Sequence, residues 1–492
     1  MQLMFDTSSM DDYQKFLRLK GTPAYWWDGE IACVPDEYAR WIDGEEHVHK
    51  VAEYDPSPFL FDYQRDIAKL AIQKRKFAVF ADCGLGKTLI LLEFARHAAQ
   101  FGKVLIVSPL MVCRQTIGEA ERFYPGMDIA RVAAADLPYW LISECDGTQI
   151  AVTNYEAIRD GLPNTKLAGL VLDESSMLKS HYGAWGERLI DMGRGVPFKM
   201  ALTGTPAPND RIEYANHAVF LDHFRTTNEF LARYFVNKGQ TQERWIMKPH
   251  ALRPFYRDLS HWCMFLSDPS VYGWEDNCDT IPPIHVHIDH VPLTADQRKA
   301  VQESTGKLVV TEIGGIGQRS KLSQIAKGNH KGGDIPTNKP DFIRRLVDSW
   351  PDESTIIWCR YNHEQETMER TFGKDAVSIH GGTPEATRQT MIDDFKAGRV
   401  RVLISKPKIL GFGLNLQVAT RQVFSGLQDS YEEFYQAVKR SNRIGSTRPL
   451  NVHIPVTEIE EPMVSNVLRK ADRVQSDTEE QERLFKEMAW TF

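Results

Sequence analysis

Apolar runs alternating with amphipathic stretches predict an α/β protein of two lobes, each a parallel sheet flanked by helices, with a helical insertion between them. Three observations carry this. Between 56 and 223 the strand-like runs FAVFA, KVLIVSP, QIAVTN, LAGLVLD and FKMALTG are interspersed with helical stretches such as ILLEFARHAAQ. From 336 to 457 the same rhythm returns in STIIWCR, AVSIHG, RVLISK, RQVFSG and NVHIPV, separated by DFIRRLVDSW, PEATRQTMIDDFKAG and YEEFYQAVKRSNRI. The interval 224–335 is instead aromatic and basic, with the glycine-rich stretches EIGGIGQ and KGNHKGGD, and there the strand rhythm is expected to stop. A chain of 492 residues exceeds what one hydrophobic core organises, which agrees with this division. Ahead of it, 1–55 is a small acidic appendage in which AYWWDGEIACVP reads as two short strands around an Asp-Gly turn, followed by a helix near DEYARWI; 458–492 is a helical tail.

Composition narrows the class. With 42% hydrophobic and 25% charged residues the chain has the make-up of a soluble globular protein. No apolar run approaches the roughly 20 residues of a membrane span, and the first residues lack a signal-peptide pattern, so no membrane association and a cytoplasmic location are expected. The seven cysteines never form a CxxC pair, which suggests neither a disulfide framework nor a zinc site. The net charge of -7 conceals an asymmetry: residues 1–62 hold thirteen acidic and five basic side chains, whereas 225–257 holds seven basic against two acidic and 298–345 ten against four. Either basic stretch could follow a phosphate backbone or form a solvated helix face.

The chemistry sits at the strand ends. FADCGLGKT (Phe80–Thr88) closes an apolar run and enters a helix. Gly84, Leu85 and Gly86 would bring backbone N–H groups to phosphate, Lys87 would hold the β- and γ-phosphates, and the Thr88 hydroxyl would ligate Mg²⁺. Ala81 stands where the strict GxxxxGKT pattern has its first glycine. The second half is LAGLVLDES, a buried strand delivering Asp173 to hold Mg²⁺ and Glu174 to orient or deprotonate water. Gln64, just before a helix, could bond an adenine edge. In the second lobe Gln436, Arg440 and Arg443, spaced by four and three, are expected on one face of a helix, where two guanidiniums could meet a γ-phosphate across a cleft. GFGLNLQ (Gly411–Gln417) supplies a backbone turn that could face both DNA and nucleotide.

The order of these motifs, DYQ, GLGKT, SPLMV, LDES, LTGTP, IIWCRYN, GFGLNL and QAVKRSNRIGSTR, resembles the superfamily 2 helicase-like ATPases of the Swi/Snf type from about Phe61 to Val456. The DESS form and the chain length are most similar to bacteriophage- or prophage-encoded members. This resemblance implies two RecA-like lobes that bind ATP and Mg²⁺, clamp duplex DNA and move along it, in the host cytoplasm if phage-encoded. It also implies roles residue by residue: Lys87 and Thr88 on the triphosphate and metal, Asp173 and Glu174 in hydrolysis, Arg440 and Arg443 as arginine fingers, and Gln64 on adenine. Thr203 and Thr205 would couple the lobes, while Gly413 and Asn415 would link nucleotide to DNA. Ser176 stands where the family often has a histidine, which puts that coupling in question. The alternatives are a strand-separating DNA or RNA helicase and a nucleotide-controlled regulatory subunit for a nuclease or replication partner. The remaining features read more simply. His285, His287 and His290 alternate as one polar strand face before they suggest a metal site, and Trp26 and Trp27 read as core of the appendage.

Overall fold

The computed structural model describes residues 1–487 apart from 7, 23, 36–37, 40–41, 43–53, 144–147, 160, 162–165, 180–183, 240–243, 276–280, 307–315, 411–413, 428–429 and 444. The DEYARWI helix, most of EIGGIGQ, and Gly413 therefore fall largely or wholly outside the described residues. Contacts divide the chain into two compact units, 1–276 with 474–492, and 277–473. A helix at Glu461–Glu487 runs through the second of these boundaries. No helix among the described residues is long and apolar enough to cross a membrane.

The first unit opens with the small sheet expected around the Asp-Gly turn: β1 (Gln2–Leu3), β2 (Trp26–Asp28) and β3 (Ile31–Cys33), in the order β1-β3-β2. Trp27 remains exposed but touches Phe5 and Phe16, so aromatic contacts seat the helix Met10–Gly21 on this sheet. The main sheet follows with β4 (Lys76–Ala81), β5 (Val104–Ser108), β6 (Ile129–Arg131), β7 (Ile150–Asn154), β8 (Gly169–Asp173) and β9 (Phe198–Leu202). Beyond β9 lies a two-stranded antiparallel ribbon, β10 (Phe235–Asn237) and β11 (Trp245–Met247), and then β12 (Cys263–Leu266). The seven-stranded order is β12-β4-β9-β8-β5-β7-β6, all parallel. Helices cover both faces of such a sheet, and this is why strands such as VLIVS and GLVLD are apolar up to their last residue and buried along their length.

The second unit has its own sheet. Its strands are β13 (Ile284–His290), β16 (Thr355–Trp358), β17 (Ala376–Ser378), β18 (Val402–Ser405), β19 (Arg421–Phe424) and β20 (Leu450–Val456), with a small hairpin of β14 (Asn329–His330) and β15 (Gly333–Asp334) before β16. The order is β13-β20-β19-β16-β18-β17, again parallel throughout. Its core is formed by residues such as Ile343, Ile357, Val402, Ile404 and Val423.

Strand structure does not stop between 224 and 335, contrary to the sequence expectation. β12 extends the first sheet and β13 the second, while β10, β11, β14 and β15 form hairpins. These strands are short or interrupted by polar residues, so hydrophobic periodicity gives them little signal. HVHIDH is a strand, but side chains alternate along it, so His285 and His287 share a face that His290 does not. His287 stacks on His453 at 4.5 Å, and His290 lies 3.4 Å from Glu461. Among the described residues no group of three or more His, Cys, Asp or Glu side chains is placed to hold a metal ion.

Candidate functional site

Strand order assembles the site in the first unit. Neighbouring strands β4, β9, β8 and β5 end, in that order, in the phosphate-type loop, in Thr203 and Thr205, in Asp173 and Glu174, and in Ser108 and Pro109. Segments more than ninety residues apart in sequence thus meet along the carboxyl edge of one parallel sheet, where ligands of such folds bind.

The loop between β4 and the helix Lys87–Ala98 is shaped by two left-handed residues, Gly84 at φ 96° and Gly86 at φ 64°. A Cβ at Gly86 would overlap Nε2 of Gln64, so the Gln64 amide would have to leave its place on the loop, while the positive φ itself favours glycine. Gln64 is buried: its Oε1 accepts from the Phe61 N–H at 3.0 Å, and its Nε2 donates to the Leu85 carbonyl at 3.4 Å. The Tyr63 hydroxyl donates to the same carbonyl at 3.1 Å. The helix start before the loop therefore clamps it, and Gln64, read from sequence as an adenine contact, also braces Leu85. The Lys87 ammonium donates to the Ala81 and Asp82 carbonyls at 2.8 and 3.1 Å, which holds it inside the loop beside the first-turn amides of its own helix. Thr88 follows in the same turn.

Asp173 is buried at the tip of β8, where Oδ2 accepts from the Ser108 hydroxyl at 2.9 Å and Oδ1 from the Glu174 N–H at 3.1 Å. The Tyr155 hydroxyl donates to its carbonyl at 2.8 Å. Burial first, and then the neighbouring Glu174 carboxylate, push the Asp173 carboxyl up to about 7, against the Ser108 hydrogen bond and the Lys87 charge. Glu174 takes a left-handed conformation, φ 50° and ψ 53°, unusual for a residue with a side chain, and Thr203 Oγ1 donates to its Oε2 at 3.4 Å. Thr203 also accepts from the Thr205 N–H at 3.2 Å, so the TGT turn and the carboxylate pair form one network. Ser176, in the position of particular interest, is buried; its neighbour Ser175 lies 3.1 Å from Nε2 of the buried His217, whose imidazole burial lowers to about 4. This donor set fits a phosphate chain with a divalent cation. A glycine-shaped helix start offers amides, Lys87 offers an ammonium, and a cation would stabilise the charge that burial makes costly on Asp173.

In the second unit the helix ends at Tyr431–Val438, earlier than its sequence suggests, and this corrects the expectation of one helical face. Gln436 lies within it, whereas Arg440 and Arg443 lie in the turn beyond, with their Nε atoms donating back to the Gln436 and Lys439 carbonyls at 3.2 and 2.8 Å. Arg440 is buried and Arg443 partly exposed. The turn is fixed from beneath by Gln422 of β19, whose Nε2 donates to Ala437 O and Ser441 Oγ while Trp358 Nε1 donates to its Oε1. Leu416 N–H donates to the Arg440 carbonyl at 2.9 Å, which joins the GFGLNLQ segment, with Asn415 and Gln417, to the arginine turn. Ser108, Tyr63, Thr203 and Gln422 are the residues whose contacts sequence reading missed. Ser108, Tyr63 and Thr203 lie inside recognised motifs and Gln422 in the strand RQVFSG, but the partner of each is set by strand order.

Residues 338–445 match the helicase conserved C-terminal domain. The chain is 24% identical over 422 residues to the mouse (Mus musculus) DNA annealing helicase and endonuclease ZRANB3, covering 80% of this chain and 38% of the relative. It is also 24% identical over 432 residues to protein p41 of Acyrthosiphon pisum secondary endosymbiont phage 1, covering 80% of this chain and 91% of that protein. The Sulfolobus solfataricus SWI2/SNF2 ATPase core in complex with dsDNA aligns over 88% of this chain and 98% of its own, with TM-score 0.42 and 17% identity. The chain thus spans about two fifths of the length of ZRANB3. The chain thus carries a phosphate-type loop and a carboxylate pair on one parallel sheet, followed on another by a segment that matches the helicase conserved C-terminal domain. The relatives it resembles are named as a DNA annealing helicase and endonuclease and as a phage protein.

Proposed function

We propose that this chain is an ATP-driven motor that moves on DNA, with duplex DNA favoured. The observation that carries the reading is the tip of β8: a buried Asp173 beside a strained Glu174, next to the Lys87 loop in one sheet edge. In this reading the amides of Gly84, Leu85 and Gly86 bind the phosphates, Lys87 supplies positive charge at the β- and γ-groups, and Gln64, Gln436 and Gly413 make further nucleotide contacts. Thr88 and Asp173 hold Mg²⁺, which supplies charge neutralisation when bound. Glu174 orients the attacking water and accepts its proton, its carboxylate held by the Thr203 hydroxyl. Arg440 and Arg443 stabilise the charge that develops on the transferred phosphoryl oxygens, a role in which such arginines contribute about 10³–10⁵ in rate.

The name of the ZRANB3 relative, a DNA annealing helicase, supports DNA as the polymer. Similarity to p41, a phage protein, supports a phage setting, and within it we place the motor in DNA replication, recombination or repair. An ATPase assay with duplex DNA, single-stranded DNA and RNA tests the reading: duplex DNA should stimulate most, and stimulation by RNA alone would overturn it. Lys87→Ala should abolish turnover while leaving the circular dichroism spectrum unchanged; persistent hydrolysis would show the loop is misassigned.

A further inference from the structure

The antiparallel ribbon β10–β11 has two chemically different faces. Register pairs Phe235 with Met247, Val236 with Ile246 and Asn237 with Trp245, and the Lys238 N–H donates to the Arg244 carbonyl at 2.8 Å, so the pairing continues to 238 and 244. Phe235 is buried against Phe255 at 6.1 Å, and Trp245 and Met247 pack on the same core. Alternation then sends Val236, Lys238, Arg244 and Ile246 to the other face. All four are exposed there, Val236 and Ile246 at 41% and 37%.

An apolar cross-strand pair capped by a basic cross-strand pair is thus presented outward. Among the described residues neither the Lys238 nor the Arg244 side chain meets a carboxylate, whereas nearby Arg233 is paired with Asp258 and Lys248 donates to the Ala232 and Arg233 carbonyls. Within 225–257 the only acidic residues are Glu229 and Glu243, against seven basic ones. A two-stranded ribbon has the width of the B-DNA major groove, and a Lys–Arg pair at its end suits phosphates on the groove wall.

We infer that this ribbon is a duplex-DNA contact of its own, apart from the helicase motifs, with Lys238 and Arg244 on phosphates and Val236 and Ile246 against the groove. The inference rests on the proposed DNA-motor reading. It predicts contacts that are independent of sequence and sensitive to salt, since each neutralised phosphate releases counterions.

The test is fluorescence anisotropy of the full chain with a labelled mixed-sequence duplex between about 50 and 200 mM salt. If Lys238 and Arg244 each hold a phosphate, Lys238→Ala with Arg244→Ala lowers the slope of log affinity against log salt by about 2, so the loss of affinity across that range shrinks roughly tenfold. Lys238→Arg with Arg244→Lys should retain the slope, and Val236→Thr with Ile246→Thr should weaken binding without changing it. A thermal midpoint equal to that of the wild type establishes that the variants fold. An unchanged slope in the double alanine variant, with wild-type binding intact, overturns the ribbon assignment. A wild-type chain that does not bind duplex DNA overturns the motor reading, and the ribbon assignment with it.

Discussion

At Glu174 the side chain proposed for chemistry sits on a backbone that favours glycine. A left-handed conformation costs an L-residue roughly 1–2 kcal/mol, while the greater unfolded-state freedom of glycine takes back about half of any relief. Glu174→Gly is therefore expected to keep or raise stability, by up to about 1 kcal/mol in urea unfolding, while hydrolysis is lost. A clear loss of stability would mean that the carboxylate, with its Thr203 contact, holds the fold together rather than being held in strain by it. Gly86 is the converse case. Alanine there meets both the positive φ and the Gln64 amide, so Gly86→Ala should cost more than the roughly 1–2 kcal/mol of the conformation alone. Adding Gln64→Ala should return the excess; a purely additive double mutant would refute the overlap. These positions also show what single-sequence reading reaches. GLGKT and DES declare themselves because phosphate and metal chemistry needs those residue types at the end of an apolar run. The Ser108 bond to Asp173 and the Tyr63 clamp on Leu85 do not, because nothing local in SPLMV or DYQ says which strand lies beside it.

Among elements, the second unit is tied together by a buried ion triad. Glu460, which closes the turn before the helix Glu461–Glu487, receives Lys327 at 2.7 Å and Lys339 at 2.6 Å, and Lys339 also donates to the Ser425 carbonyl at the end of β19. The triad thus joins the helix Ile316–Ala326, the start of the helix Lys339–Asp348 and the sheet. Burial opposes the charge on Glu460, but the two ammonium groups outweigh it and hold the carboxyl down at about 2. Because this pKa is depressed, the contribution to stability is complete above the ordinary value of 4.5 and is lost as pH falls through about 2. Glu460→Ala leaves two buried cations without their counterion and should cost about 3–5 kcal/mol at pH 7, a loss that flattens toward acid pH. A wild-type-like urea midpoint at pH 7 would show that water replaces the carboxylate. The triad was not legible because its members are 133 and 121 positions apart in sequence, whereas the sheets were, since parallel strands buried on both faces are written as continuous apolar runs. The early end of the helix at Val438 escaped notice for a related reason. Its continuation AVKRSNRI keeps helical spacing, and the tertiary bonds from Gln422 that shape the turn come from another strand.

For the whole molecule, the two units have separate sheets and separate cores, so nucleotide bound by Lys87 in the first need not stabilise the second. It must do so, however, if Arg440 and Arg443 act on the same phosphates, since linkage makes any favourable interaction with ligand a stabilisation of the folded state that provides it. A non-hydrolysable ATP analogue with Mg²⁺ at about 100 times its dissociation constant adds roughly 2.7 kcal/mol to whatever folds with it. In calorimetry the wild type should then show both units shifting upward together. Arg440→Ala with Arg443→Ala should confine the shift to the first unit, and Lys87→Ala should remove it from both. The arginine turn is built on Gln422 and Leu416 rather than on the guanidiniums alone, so the double alanine variant should still fold and its second-unit transition serves as its own reference. If the second unit shifts as much without the two arginines as with them, coupling runs by another route, for which the helix Glu461–Glu487, continuous across the unit boundary, is the first element to break.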